Sequence, residues 1–125
     1  MSALKPLVWL GSSKKDLMGL PTKVIDEFGF GLYLAQVGRR HESSRILRGF
    51  GDASLVELIA LQGGSTYRAV YTVRFEQRVF VLHVFQKKSK YGSATPRRDR
   101  ALIATRLKRA AEIAEETAHD TPKNN

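Results

Sequence analysis

Lys87, Lys88 and Tyr91 fall at the end of an apolar run, VFVLHVFQKKSKY, with His83 inside that run and Arg68 in the preceding one, TYRAVYTVRF. These side chains are the ones best suited to move a proton or hold a phosphate. An arginine can grip a phosphate through two parallel hydrogen bonds. A lysine crowded by other cations releases its proton more readily and can then act as acid or base, or it can simply stabilise negative charge. Histidine changes charge near neutral pH, but His83 sits within an apolar strand, where a core histidine with satisfied nitrogens is the competing reading. Tyr91 can donate a proton, stack on an exposed base, or be a plain loop tyrosine. Arg68 has the alternative of a surface arginine paired to Glu57 or Glu76, and Lys87 and Lys88 that of an ordinary charged strand end.

The surroundings of these residues are strongly basic. The chain has 125 residues and a formal net charge of +9. Residues 87–109 hold nine lysines and arginines against Asp99 alone, which puts +8 in that segment and leaves the other 102 residues nearly neutral. Such a localised surface points to a polyanion, though a solvated helix and loop face is the bland alternative. Arg97, Arg98, Arg100, Arg106, Lys108 and Arg109 read as docking charges, together with Lys90 and Arg74; Arg98, Arg106 and Arg109 fall near one face of a helix. With no cysteine, disulfides, thiol catalysis and cysteine-ligated zinc are excluded. Three scattered histidines make no metal motif, and nothing in the pattern calls for a cofactor. No stretch approaches the ~20 apolar residues of a membrane span, and the amino-terminal apolar run is short for a signal peptide. The expectation is a cytoplasmic protein with no membrane partner.

The elements that must position these groups follow from periodicity. Residues 7–10 read as a short strand, residues 14–20 as a helical turn, and residues 21–38 as a helix with Val24, Phe28, Leu32 and Ala35 on its apolar stripe. Gly29 and Gly31 weaken that helix unless they permit a close approach to a sheet. A short strand at residues 45–47 precedes three longer ones, 55–61, 67–75 and 78–86. Tight connections join these three as an antiparallel meander. Alternation on the middle strand places Tyr67, Ala69, Tyr71, Val73 and Phe75 toward the core and leaves Arg68 and Arg74 on an open face. The last strand, apolar almost throughout, should be central and covered on both sides. Its faces cannot be assigned, but one of Lys87 and Lys88 should share the face of Arg68. Thr95-Pro96 begins a final helix to about Thr117, with Leu102, Ile103, Leu107, Ala110, Ile113 and Ala114 as its stripe. Trp9, Phe28, Phe30 and Phe50 are assigned to core packing, with an exposed aromatic groove as the alternative. The expectation is an α+β fold in one domain over residues 1–118, with a flexible tail at 119–125.

The succession KPLVWLGSSKKDL, LPTKVIDEFGFGLYLAQVG, TYRAVYTVRF, VFVLHVFQKKSKYGSATPRRD and ALIATRLKRA resembles the phage-related, HigB-like branch of the RelE/ParE superfamily of type II toxins, over residues 4 to about 114. The resemblance implies amino-terminal helices packed on an antiparallel sheet with a carboxy-terminal helix. It also implies a ribosome-dependent, metal-independent endoribonuclease that cuts messenger RNA and is held inactive by a helix-turn-helix antitoxin. Carried onto this chain, it places Arg68 of the YR motif in the active cleft, with Lys87, Lys88, Tyr91 and His83 as further catalytic candidates and Glu57 as a support that orients Arg68. The strand LVELIALQ lacks the basic residue that relatives often carry there. A ParE-like gyrase poison and an inactive nucleic-acid or antitoxin-binding protein of the same fold are the alternatives.

Overall fold

A computed structural model describes residues 4–51, 54–75, 77–87 and 94–120, with side chains described as far as 116. The chain runs β1 (Leu7–Trp9), α1 (Ser13–Met18), α2 (Thr22–Gln36), β2 (Ser44–Ile46), β3 (Leu55–Gln62), β4 (Ser65–Thr72), β5 (Val79–Lys87) and α3 (Arg97–Asp120). The fold is α+β. Its five-stranded sheet has the order β1-β5-β4-β3-β2, antiparallel except for the pairing of β1 with β5. Gly63 and Gly64, with φ of 58° and 80°, turn β3 into β4 through the left-handed conformations that a two-residue hairpin needs.

Helices cover both faces of the sheet. On one side, Leu17 of α1 and Val24, Phe28, Leu32 and Ala35 of α2 pack against Val56, Leu58, Ala69, Tyr71 and Val81. Gly31 makes this approach possible, since a Cβ there would lie 2.6 Å from Cδ2 of Leu58. On the other side, Ile103 and Ala110 of α3 pack on Leu55, Val70, Phe80, Leu82 and Phe85. Among the described residues no helix is long and apolar enough to cross a membrane.

Several expectations change. The face of Arg68 is not open: α3 packs on that side, where Val70 and Thr72 are fully buried and Arg68 keeps only 4% of its surface. The middle strand stops at Thr72, whose Oγ1 accepts a hydrogen bond from the Arg74 amide at 3.1 Å and bends the chain away from the ladder. Phe75 therefore does not join the Tyr67 face; it meets Phe80 edge-on in the cluster under α3. Phe30 is not a core residue but 54% exposed, stacked on Tyr33 along the outer side of α2. The helical residues His119 and Asp120 were expected in the tail.

A register irregularity decides the faces of β5. Val70 pairs with His83, yet Tyr71 pairs with Val81, so Leu82 is an extra residue in the ladder. Across such a bulge the alternation slips by one. Phe80 and Leu82 face α3, and beyond the bulge His83 and Phe85 do as well, which carries Lys87 onto the same side.

The two α2 glycines make opposite predictions. Nothing lies within 4 Å of a Cβ at Gly29, so Gly29→Ala should stabilise by about 0.5–1 kcal/mol. Gly31→Ala should instead lower stability, because the same propensity gain meets an overpacking cost of about 1–3 kcal/mol. Urea unfolding midpoints of the two variants, moving in opposite directions, check both.

Candidate functional site

Three neighbouring strands bring charge together on the α3 side of the sheet. Glu57 of β3 lies opposite Arg45 of β2 in the ladder and opposite Val70 of β4; Arg68, two residues back along β4, lies opposite Phe85, and Thr66 lies opposite Lys87. Side chains two apart on a strand share a face, so Arg45, Glu57, Arg68 and Lys87 gather into one patch. Glu57 has no exposed surface. A buried carboxylate has to be paired, and here it has two cations. Arg45 Nε donates to its Oε1 at 2.6 Å, while Arg68 Nη1 lies 3.3 Å from both carboxylate oxygens.

Lys87 completes the patch. It is only 7% exposed, although its side chain ends in an ammonium. Burial pushes the pKa of its amine down, and the neighbouring Arg68 and Arg45 guanidiniums push it further down, against a smaller opposing pull from Glu57. The patch sets two guanidiniums beside an amine eased toward its neutral form.

Of the expected catalytic residues, the structure brings together Arg68 and Lys87, and it places Glu57, the expected support, beside them. Lys88 and Tyr91 lie outside the described residues, as do Lys90 of the docking set and Glu76, the alternative partner of Arg68. Arg45 did not figure among the expected site residues. Its only sequence signal is its place in a short polar strand whose register against β3 is not legible in advance.

His83 is on the correct face but is committed elsewhere. Its Nε2 lies 2.7 Å from Asp99 Oδ1 and its Nδ1 3.3 Å from Arg106 Nη1, while its ring stacks on Phe85 at 4.7 Å. A guanidinium can only donate. Nδ1 must therefore accept, and the ring proton sits on Nε2 and is given to Asp99. Both nitrogens are used, although the ring lines a cleft of about 760 Å³ with Ser12, Gln86, Arg98 and Arg106.

The docking charges separate by environment. Arg106 points inward, donating to the Leu82 carbonyl at 3.0 Å and to Ser12 Oγ at 3.4 Å, so it ties α3 to β5 and to the start of α1. Arg100 donates to the Arg48 carbonyl at 3.2 Å and lies 4.6 Å over the Phe50 ring. Arg109 is paired along its own helix with Glu112 and Glu116. Arg97 and Arg98 are exposed at the start of α3. Arg74 is exposed beyond the end of β4, lining a separate groove with Phe50, Phe75, Leu107 and Lys108.

This arrangement of helices, sheet and basic patch can be set beside known proteins. The family model for Phage derived protein Gp49-like (DUF891) matches residues 15–108. The chain belongs to this family. The Gp49-like family is toxin-like, of the RelE/HigB type. No curated protein matches the chain. The Gp49-like match takes in Arg45, Glu57, Arg68, Lys87 and the His83–Asp99–Arg106 chain, and leaves Arg109 outside.

The histidine assignment is directly testable. In nitrogen-15 spectra near neutral pH, His83 should show a protonated Nε2 and an unprotonated Nδ1. Arg106→Ala should leave the Nε2 proton in place, because Asp99 still accepts it, and should destabilise the fold by about 1–3 kcal/mol, the range for losing a hydrogen bond to a charged group or leaving a buried polar group unmatched. Chemical denaturation measures the second effect.

Proposed function

We propose that this chain is the toxin of a type II toxin-antitoxin pair, HigB-like in kind, and that it cleaves messenger RNA on the ribosome. The reading is carried by the patch in which Glu57, Arg45, Arg68 and Lys87 meet on one sheet face. Membership of a toxin-like family and the basic segment 87–109 support it.

Cleavage of RNA by its own 2′-hydroxyl removes the 2′ proton, joins the 2′-oxygen to phosphorus and breaks the bond from phosphorus to the 5′-oxygen. That oxygen leaves with a proton. Arg68 holds the non-bridging phosphate oxygens and stabilises the charge that grows on them in the transition state. Lys87, in its neutral form, accepts the 2′ proton, and the ammonium so formed can return it to the 5′-oxygen. Lys88 and Tyr91, next along the chain, are further candidates for that donation. The exposed Arg97 and Arg98, with Lys90 and Arg74, serve as contacts to the phosphate backbone of messenger or ribosomal RNA. The cognate partner is a helix-turn-helix antitoxin, and the site of action is the cytoplasm.

Expression in growing cells, with mapping of messenger RNA ends, tests the reading. Growth arrest with new 5′ ends inside translated messages is expected. Arrest with broken DNA and intact transcripts would instead mark a gyrase poison, and RNA binding without cleavage in the presence of ribosomes an inactive binding protein. Arg68→Ala and Lys87→Ala should each lower cleavage by roughly 10²–10³, as loss of one charge-stabilising group does elsewhere. Unchanged cleavage in folded variants would remove these residues from the mechanism.

A further inference from the structure

We propose that the amino-terminal end of α3, where Thr95, Arg97 and Arg100 meet the loop at Gly49 and Phe50, binds a phosphate group, at a place that shares no residue with the patch around Glu57. The RNA-cleaving reading enters only in naming an RNA backbone as one source of that phosphate.

The first observation is a hydroxyl. Thr95 is 6% exposed, and its Oγ1 is buried with no hydrogen-bond partner among the described residues. A buried polar group left unmatched costs stability, so it asks for a functional reason. Thr95 comes two residues before α3, and its hydroxyl caps none of the first amides of the helix. Pro96, which follows it, has no side-chain oxygen with which to do so. Thr95 lines instead a cleft of about 520 Å³ between the start of α3 and the Gly49–Phe50 loop.

The second observation is the set of donors at this cleft. With 24 residues, α3 is long enough to present a full dipole at its amino terminus. The Arg100 amide opens the helical ladder by donating to the Pro96 carbonyl at 2.9 Å. The amides of Arg97, Arg98 and Asp99 are thus the donors that a helix start cannot satisfy from within, and such ends bind anions. Arg97 is exposed beside them. Arg100 is held by two neutral groups, the Arg48 carbonyl at 3.2 Å and the Phe50 ring at 4.6 Å, and neither cancels its charge. Gly49, at a φ of 99°, lets the loop come this close, because a Cβ there would collide with Arg100 Nη2.

The third observation is where the acid goes. Among the described residues the lining of this cleft contains no carboxylate. Asp99, the acidic residue of the first turn, gives its side chain to His83 at 2.7 Å and lines the other cleft. A hydroxyl, first-turn amides and two guanidiniums, with no carboxylate among them, form a donor-only lining. Phosphate oxygens, which accept hydrogen bonds and carry negative charge, are the matching chemistry.

The test uses full-length protein and two probes: inorganic phosphate, and a short single-stranded RNA carrying 2′-deoxy sugars, which cannot be cut by its own 2′-hydroxyl. Nitrogen-15 amide spectra follow Arg97, Arg98 and Asp99, with chloride at equal ionic strength as the blank. Saturable shifts of these amides are expected. Shifts with both probes, in competition, uphold the site and assign it to a backbone phosphate; shifts with inorganic phosphate alone uphold it for a free phosphate ion. Thr95→Val, which keeps the branched shape and removes the hydroxyl, should weaken binding about five- to tenfold, the scale of one hydrogen bond to a charged group. Thr95→Ser should bind like wild type, which a purely packing role for Thr95 does not require. If Thr95→Val does not fold, Arg97→Gln, at an exposed position, should weaken binding by a similar factor. Amides that move no more than in chloride, or folded Thr95→Val and Arg97→Gln proteins that bind like wild type, would overturn the proposal. Cleavage is read separately: a protein that binds phosphate here and never cuts messenger RNA defeats the proposed reaction and leaves the site, and one that cuts without these shifts does the reverse.

Discussion

A fully buried carboxylate is one of the most demanding groups a small protein can contain, and Glu57 sets the terms for the sheet around it. Its charge is tolerable only if cations approach from both neighbouring strands. That requirement holds β2, β3 and β4 in one register, since a slip of a single residue would turn Arg45 or Arg68 to the opposite face. It also means that the cations cannot be spread evenly over the surface. They converge, and their convergence adds to the effect of burial in depressing the proton affinity of Lys87.

Around this electrostatic centre the apolar architecture is conventional. Two hydrophobic clusters, one under α1 and α2 and one under α3, sandwich the sheet. The second cluster ends where the charged patch begins, with Phe85 beside Arg68 in the ladder and His83 two pairs further along. The His83, Asp99 and Arg106 chain then fixes α3 against β5. A group that looks suited to proton transfer is thereby used to hold a helix in place.

Much of the scaffold was legible in the sequence because it follows from local pattern. The stripe of Val24, Phe28, Leu32 and Ala35, the Gly63-Gly64 turn and the almost wholly apolar β5 each carry their own signal. What was not legible depends on pairing between distant segments. No periodicity in residues 7–9 announces a parallel partner at residues 79–81. The burial of Arg68 depends on where α3 lies, and a helical stripe does not say which sheet face it will cover. Arg106 shares a helical face with Arg98 by spacing, yet its length lets it reach inward to Leu82 and His83. Arg45 was missed for the same reason: its importance comes entirely from standing across the ladder from Glu57. Arg68 and Lys87 were legible as candidates through TYRAVYTVRF and VFVLHVFQKK, and Glu57 as a support implied by the resemblance, whereas their joint burial was not.

The bulge at Leu82 makes the choice of amine a matter of counting. Two lysines stand side by side at the end of β5, and strict alternation from Phe80 would bring the position of Lys88, not that of Lys87, to the face of Arg68. One surplus residue in the ladder reverses the parity. The doublet therefore holds a spare: a chain that lost the bulge while keeping every residue would bring the position of Lys88, in place of Lys87, to that face, so a slip of one in the ladder exchanges one lysine for the other.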